Sequence, residues 1–354
     1  SKLLKSFNIK IELLTSKVKN KNDIYYRIKN KEIDLLIGTH AVYNSSIDFN
    51  NLGIIVIDEQ HKFGVKQRIS LLEKSSACHT LIMSATPIPR SLTFVIYGEI
   101  SISNIKTKPL GRKKVITSII NNQKIDNLIE GIKRKINNCE QVFWILPEIG
   151  ENIKDTEKET LLTRFNFLNK IFHNQTTIVH SKMIKEDIEK NMKEFQKKKK
   201  MILVATTLIE VGINIPSASL MIVEAADRFG LAQLHQLRGR ISRSNLSSHC
   251  VLIHNNNLSE NSRDRLLILK NHDNGFEIAE KDLLLRGSGD ILGTNQSGLP
   301  NWRFFKPFED YKLIEEVKKN CENLLSNKSK NKEKINFLIN TFFKKSHLKN
   351  YRSA

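Results

Sequence analysis

The sequence is poor in several residue classes, and each shortage excludes a class of protein. Its 354 residues include only four cysteines, which lie far apart and form no CxxC pair, so neither a disulfide scaffold nor a cysteine-bound zinc site is expected. No run approaches eighteen consecutive apolar residues, and the first ten residues lack the apolar segment of a secretion signal. We therefore expect no membrane partner and a cytoplasmic, reducing location.

Negative charge is also scarce. The 57 Lys and Arg residues outnumber the 37 Asp and Glu residues and give a formal net charge of +20. This excess favours a polyanionic partner such as DNA, because basic side chains displace the counterions condensed on phosphates. Lys, Asn and Ile are abundant along the whole chain, so biased codon usage is an alternative explanation for the same charge.

The sequence is rich, by contrast, in short apolar runs that alternate with helical or loop stretches. This alternation is typical of parallel strands in α/β sheets, where functional groups collect at the carboxyl ends of the strands. A segment with Pro and Gly at 107–114 separates two series of runs. The first series comprises 9–15, 34–40, 53–59 and 80–86, and the second comprises 114–120, 141–147, 176–181, 201–207, 220–226 and 248–254.

The remaining segments complete a three-part organisation. Residues 148–175 are polar and less regular, whereas Ile184, Ile188, Met192 and Phe195 recur at helical spacing and predict a helix packed on the sheet. After about residue 259 the sequence favours helices, interrupted by a glycine-rich stretch. We predict an incomplete α/β domain at 1–112, a complete one at 113–258 and a helical region at 259–354.

Two adjacent carboxylates, Asp58 and Glu59, follow the apolar run at 53–57. Such a pair can hold Mg²⁺ through one member and activate water through the other, as nucleoside triphosphate hydrolysis requires. The alternative is a pair of acids in the first turn of a helix, where they interact favourably with the helix dipole. Ser84 and Thr86 end the next run, and their hydroxyls either bond back towards Glu59 or His61 or simply cap a helix.

The segment GLAQLHQLRGRISR (230–243) predicts an amphipathic helix. At 100° per residue, Leu231, Leu234, Leu237 and Ile241 fall on one side, and Gln236, Arg240 and Arg243 fall on the other. Gly239 lies inside this pattern, which suggests a close backbone approach. Two arginines one turn apart suit the developing charge of a triphosphate, although a solvated basic face is the alternative. Hydroxyls at Thr206 and Thr207 could contact phosphates.

Four segments of the chain resemble, in order, the motifs of superfamily 2 helicases. They are DEQH (58–61), SATP (84–87), ATTLIEVGINIP (205–216) and QLRGRISR (236–243). Four longer segments are similar to those of one family, the ATP-dependent DNA helicase RecG. These segments are DEQHKFGV, SATPIPRSL, RFGLAQLHQLRGR and LLLRGSGDILGTNQSG. The Mfd translocases share the last of these segments, and His61 favours RecG. The resemblance runs from about residue 3 to about residue 325. It implies RecA-like parallel-sheet domains followed by a mainly helical region.

The resemblance also implies a role for each matching position. Asp58 would hold Mg²⁺, Glu59 would activate water, and Gln236, Arg240 and Arg243 would face the phosphates of ATP. Glu210 and Gly212 would lie beside the nucleotide. The residues implied to couple the nucleotide state to branched or duplex DNA, or to contact that DNA, are Gln60, His61, Ser84, Thr86, Thr206, Thr207, Arg286, Gly287 and Gln296.

The chain departs from the family pattern at its start. None of its fifteen glycines is followed by Lys, so the phosphate loop GxxxxGK[ST] is not in this chain, and neither is the N-terminal wedge domain of the family. We expect the chain to begin inside the first motor domain. A separately encoded N-terminal RecG portion is therefore a candidate partner.

These observations lead to three hypotheses. The first is the C-terminal fragment of a RecG-type, ATP-dependent branched-DNA helicase that acts in recombination and repair by branch migration and fork regression. The second is a non-catalytic DNA-binding remnant of a disrupted or split gene. The third is an Mfd-like DNA translocase.

Overall fold

The computed structural model describes residues 7–16, 18–44, 46–59, 74, 78–84, 101, 103–105, 107, 113–147, 154–206, 215–241, 246–256, 258–291, 313–327 and 329–342. Contacts between residues divide the chain into two compact units. The first comprises Ser1–Ala85, Phe94–Gly98 and Leu292–Ala354, and the second comprises Thr86–Thr93 and Glu99–Ile291.

The first unit begins with a parallel strand pair joined by a helix. Strands β1 (Ile11–Leu14) and β2 (Leu35–Gly38) are hydrogen-bonded in parallel, and helix α1 (Lys21–Lys29) connects them. A buried cluster around Leu14 fixes the helix against the strands through Ile24 and Ile28.

Gly38 ends β2 at a close approach of the backbone. A Cβ atom there would overlap the side chain of Val42 and lie 2.6 Å from the carbonyl oxygen of Leu14. The residue must therefore be glycine for the following 3₁₀ turn, His40–Tyr43, to pack where it does.

A second parallel pair in this unit carries the predicted acidic motif. Strands β3 (Ile54–Ile57) and β4 (His79–Ile82) pair in register, with Ile57 opposite Ile82. Ile55 and Ile57 are buried, so β3 turns one face towards a core.

Each of these two strand pairs, which are separate two-stranded sheets, also carries exposed apolar side chains. In β3 the exposed residues alternate with the buried ones, as expected from the two-residue period of a strand. Parallel sheets normally bury both faces, so these surfaces have the composition of interior surfaces. The exposed side chains are Leu13, Leu35, Ile37, Ile54, Val56, Leu81 and Met83.

The second unit contains a six-stranded parallel sheet with the strand order β5-β10-β9-β6-β8-β7. Together with β1 to β4, these strands confirm all ten apolar runs predicted from the sequence, since each run overlaps one strand. The strands are β5 (Ile116–Asn121), β6 (Gln141–Ile145), β7 (Thr176–Val179), β8 (Ile202–Ala205), β9 (Ala218–Val223) and β10 (His249–His254).

Helices cover both faces of this sheet, and two buried clusters result. Along β6, Phe143 and Ile145 belong to one cluster, and Val142 and Trp144 belong to the other, because successive side chains point to opposite faces. The helices of this unit are α2 (Asp126–Asn137), α3 (Lys154–Ile171), α4 (Lys185–Gln196), α5 (Leu231–Arg238), α6 (Glu260–Asn271) and α7 (Gly275–Ile291).

Two sequence expectations about helices were wrong in part. The segment expected to be irregular contains the 18-residue helix α3, which buries Leu161 and Leu168, seven residues apart, against the sheet. Ile184 was expected on the packed face of α4, but it precedes the helix in an extended conformation and is 68% exposed. Met192 and Phe195 are buried as expected.

The C-terminal helices divide between the two units. By their contacts, α6 and α7 belong with the six-stranded sheet, although the sequence had grouped 259–354 as one region. Helices α8 (Leu313–Ser326) and α9 (Lys332–Phe342) follow in the first unit. The proposed domain boundaries stay predictions. Within the described residues, no helix combines the length and apolar character that crossing a membrane requires.

Candidate functional site

The carboxyl edge of β3 and β4 brings Asp58 and Ser84 to the same side of the strand pair. Asp58 directly follows β3, and Ser84 lies two residues beyond β4. The Met83 N–H donates a hydrogen bond of 2.8 Å to the Ile57 carbonyl and extends the ladder to this edge. Parallel pairing therefore places the acidic motif next to the start of the SATP motif.

Glu59 adopts a conformation that non-glycine residues rarely use. Its φ is 50°, in the left-handed region, which costs about 1–2 kcal/mol for an L-residue. Its N–H donates a hydrogen bond of 2.8 Å to Asp58 Oδ1. Backbone strain of this kind is concentrated at functional sites, so the geometry favours a functional reason for the pair.

The chemistry of Asp58 suits Mg²⁺ bound together with a nucleotide. Asp58 is exposed at the edge of the strands, and Mg²⁺ usually takes one or two carboxylates together with water and phosphate oxygens. Among the described residues, no group of three or more His, Cys, Asp or Glu side chains could hold a metal ion by itself. A single carboxylate that shares the ion with phosphate oxygens fits this arrangement.

Several predicted site residues lie outside the described residues, or their side chains do. Those outside are Gln60, His61, Thr86, Thr207, Glu210, Gly212, Arg243 and Gln296. Arg286 and Gly287 lie within α7, where the backbone alone is described. Thr206 follows β8 and is half-buried, and its hydroxyl is shielded from solvent and has no hydrogen-bond partner among the described residues.

Helix α5 packs as the sequence predicted. Leu231, Leu234, Leu237 and Ile241 are all at most 1% exposed and belong to the cluster on one face of the six-stranded sheet. Gln236 is half-buried on another side of the helix. The apolar face is therefore confirmed, and the helix is fixed to the sheet along its whole length.

The predicted continuation of this helix to residue 243 was wrong, because the helix ends at Arg238. Gly239 is the C-terminal cap, and its N–H donates a hydrogen bond of 3.0 Å to the His235 carbonyl. Arg240 lies in the following turn, where its N–H donates to the Leu237 carbonyl at 2.9 Å. Arg240 is thus placed by a turn and not by helical periodicity, and Gly239 marks a helix end, as glycine commonly does.

Arg238, which is only 4% exposed, was not predicted from the sequence. Its guanidinium donates hydrogen bonds to the carbonyl oxygens of Leu269 and His272, the latter at 2.9 Å, and lies 3.7 Å from Asp273 Oδ1. Burial lowers the pKa of Arg238, and the charge of Asp273 opposes that shift. The spacing of four residues from Leu234 was the available signal, because it places Arg238 on the packed face.

The chain matches known helicase families along most of its length. Three family descriptions match in order: a DEAD/DEAH box helicase at residues 1–95, a helicase conserved C-terminal domain at 123–245, and the C-terminal part of domain 3 of ATP-dependent DNA helicase RecG at 272–352. The order and positions agree with the motifs that the sequence resembles.

Individual relatives carry the name RecG. The ATP-dependent DNA helicase RecG of Bacillus subtilis is 37% identical over 328 residues, covering 92% of this chain and 48% of the relative. That of Synechocystis is 40% identical over 319 residues, covering 88% and 38%. A solved RecG bound to a three-way DNA junction aligns with a TM-score of 0.66 at 34% identity, covering 89% of this chain and 41% of that chain. The chain therefore spans about half the length of the relatives it matches, and the RecA-like parallel-sheet fold is confirmed.

Proposed function

We propose that this chain is the C-terminal part of a RecG-type, ATP-dependent branched-DNA helicase. It would supply the C-terminal part of the first motor domain, the complete second motor domain and the translocation region. The observation that carries the proposal is the ordered match of the helicase and RecG family descriptions along one chain. The net charge of +20 supports a DNA partner. Recombination and repair, by branch migration and fork regression, are the processes we propose, with a cytoplasmic location.

ATP and Mg²⁺ would be used at two groups of residues. Asp58 would hold Mg²⁺, which would neutralise the charge of the phosphates, and Glu59 would orient the attacking water. Gln236, Arg240 and Arg243 would contact the phosphates, with Glu210 and Gly212 beside the nucleotide. Arginine is suited to this role because its guanidinium group is charged at every physiological pH and its planar fork of donors matches the geometry of phosphate oxygens.

DNA would be contacted and coupled to the nucleotide state by the remaining motif residues. We assign Gln60, His61, Ser84 and Thr86 to the coupling, Thr206 and Thr207 to the DNA backbone, and Arg286, Gly287 and Gln296 to the translocation motif. The solved RecG on a three-way junction supports branched DNA as the substrate class. The domains that we propose for these roles are 1–112, 113–258 and 259–354.

A polypeptide partner would cover the exposed apolar side chains of the strand pairs β1–β2 and β3–β4. Isolated residues of this kind are common on surfaces, but three on one parallel strand pair and four on the other are typical of surfaces that become buried. We propose that a RecG-type N-terminal segment carrying the phosphate loop covers these side chains. It would supply the Gly-Lys loop that the 354-residue chain does not contain.

The test measures ATP hydrolysis by the chain with and without an added RecG N-terminal segment, in the presence of a three-way junction, linear duplex or no DNA. We expect DNA-stimulated hydrolysis only with the added segment, and more with the junction. Duplex binding by the chain alone should weaken steeply with salt, because phosphate contacts dominate it. Salt-independent binding, or no hydrolysis with the segment bound, would contradict the proposal.

A further inference from the structure

Glu224 lies at the carboxyl edge of the six-stranded sheet, and three side-chain donors hold its carboxylate. Trp144 Nε1 donates a hydrogen bond of 2.8 Å to Oε2. Arg164 donates from Nε to Oε2 at 2.9 Å and from Nη2 to Oε1 at 2.7 Å. Bidentate pairs of this kind fix orientation as well as charge.

Arg164 is itself held in place by aromatic rings. Its guanidinium carbon lies 5.2 Å from the centroid of the Trp144 ring and 5.4 Å from that of Phe167. Trp144 is fully buried in β6, whereas the side chains of Arg164 and Glu224 are 20% and 17% exposed. The three residues come from β6, α3 and the end of β9, so they form a rigid connection across one face of the sheet.

The chain changes faces of the sheet directly after Glu224. The Glu224 N–H still donates to the Ile145 carbonyl at 2.8 Å, in continuation of the β6–β9 ladder. Ala225 then adopts a left-handed conformation with a φ of 47°. The Trp144 side chain belongs to the buried cluster on one face, and Phe229 and Leu231 belong to the cluster on the opposite face.

A second arginine holds the same segment on the other face. Arg265 of α6 donates hydrogen bonds to the carbonyl oxygens of Phe229 at 3.0 Å and Asp227 at 3.2 Å. The segment 224–229, which leads directly into α5, is therefore fixed by one arginine on each face. A strained turn such as that at Ala225 persists only when its surroundings determine it in this way.

We propose that Glu224, held by Arg164 and Trp144, is a positioning residue for ATP hydrolysis. It sets the start of α5 and thereby the placement of Gln236 and of the turn that carries Arg240. The inference rests on the proposed function of those two residues. Phosphoryl transfer depends almost wholly on positioning and charge, and small misplacements lower the rate steeply.

The decisive variant is Glu224→Gln, which keeps the shape of the side chain and removes the charge that pairs with Arg164. The structure offers a matched control at the opposite edge of the same sheet. Glu140 pairs with Lys135 at 2.7 Å and accepts a hydrogen bond from Ser219, with side-chain exposures of 12% for Glu140 and 18% for Lys135. Glu140→Gln therefore removes a comparable ion pair far from the carboxyl edge.

Two measurements separate positioning from stability. In the 354-residue chain, Glu224→Gln should raise amide hydrogen exchange in residues 225–238 about tenfold, and Glu140→Gln should leave that segment unchanged. The second measurement uses the chain together with the added RecG N-terminal segment. There, Glu224→Gln should lower kcat for ATP hydrolysis about tenfold or more with little change in KM for ATP, and Glu224→Asp should recover part of the loss. Glu140→Gln should lower the melting temperature as much as Glu224→Gln does but should leave kcat at the wild-type value.

The results distinguish a failure of the positioning proposal from a failure of the proposed function. Unchanged exchange in residues 225–238 with Glu224→Gln overturns the proposal, as does an equal loss of kcat in the two Gln variants. If the wild-type protein hydrolyses no ATP, the proposed function fails, and the exchange experiment still decides whether Glu224 holds the segment in place.

Discussion

Arg238 and Asp273 form an ion pair with 3.7 Å between Nη1 and Oδ1, and the pair connects the last residue of α5 to the loop between α6 and α7. Asp273 Oδ2 also lies 3.1 Å from Lys114 Nζ, just before β5. The turn that carries Arg240 is thus joined to the helical pair α6–α7 through a buried guanidinium.

Arg238→Met should destabilise the chain by about 2–4 kcal/mol, because it leaves the Leu269 and His272 carbonyls without this donor and the Asp273 carboxylate with Lys114 as its remaining ion-pair partner. Arg238→Lys should recover little, since one ammonium group cannot span these acceptors. Chemical denaturation measures the change. Arg228→Met is the control, because Arg228 is exposed, and a loss as small in Arg238→Met as in this control would contradict the assignment.

Arg240→Ala should lower kcat for DNA-stimulated ATP hydrolysis by about a thousandfold, because charge stabilisation in the transition state is lost. Arg240→Lys should rescue it poorly. The comparison is kcat alongside melting temperature, with the exposed Arg228→Ala as the matched arginine control. Unchanged kcat would make Arg240 part of a solvated basic surface. Since Arg240 follows the helix end and does not lie on α5, its loss should leave the apolar face of the helix intact.

Glu59→Gly should abolish ATP hydrolysis without a large loss of stability. Glycine accepts the φ of 50° without the steric cost, and this gain offsets the extra freedom of the unfolded chain, so stability should stay within about 1 kcal/mol. Cys139→Gly is the control, because exposed Cys139 has a φ of 58° and belongs to the second unit. Normal hydrolysis by Glu59→Gly would exclude Glu59 from activating water.

Acidification should destabilise the six-stranded unit through His249. Burial lowers the pKa of His249 from 6.5, the charge of Lys135 lowers it further, and Glu140 opposes the shift. Well above pH 6.5 this residue is neutral in both the folded and the unfolded forms. Below it the unfolded chain binds the proton first, so the free energy of unfolding falls as the pH falls.

The measurement is denaturation between about pH 7.5 and about pH 5.5, a range above the pH at which a carboxylate such as Glu140 loses its charge. Burial raises the pKa of Glu140, but hydrogen bonds from Lys135, Ser219 and Asn138 and the charge of Lys135 together outweigh it, so the pKa is lowered. His249→Gln should flatten the pH dependence, and His173→Gln, at an exposed position, should not. Equal slopes in the wild type and His249→Gln would refute the prediction.

The candidate site was predictable to the extent that it follows local patterns. Asp58 and Ser84 could be placed at one edge because both end apolar runs, and parallel pairing brings such ends together. Arg240 was placed on the wrong kind of element, because the helical period was carried past Gly239. The left-handed conformation of Glu59 has no signature in residue type, since non-glycine residues adopt it only when their surroundings impose it.

The sequence by itself determined the ten strands, the buried face of α5 and the order of the helicase motifs, because hydrophobic period and motif spacing are properties of neighbouring residues. Only the tertiary structure decided where Arg238 and Glu224 find their partners. Glu224 meets Arg164 across 60 residues and Trp144 across 80, and Arg238 meets His272 across 34. Hydrogen bonds over such separations depend on which strands lie side by side and on which face each helix packs, and no local pattern in the chain encodes that choice.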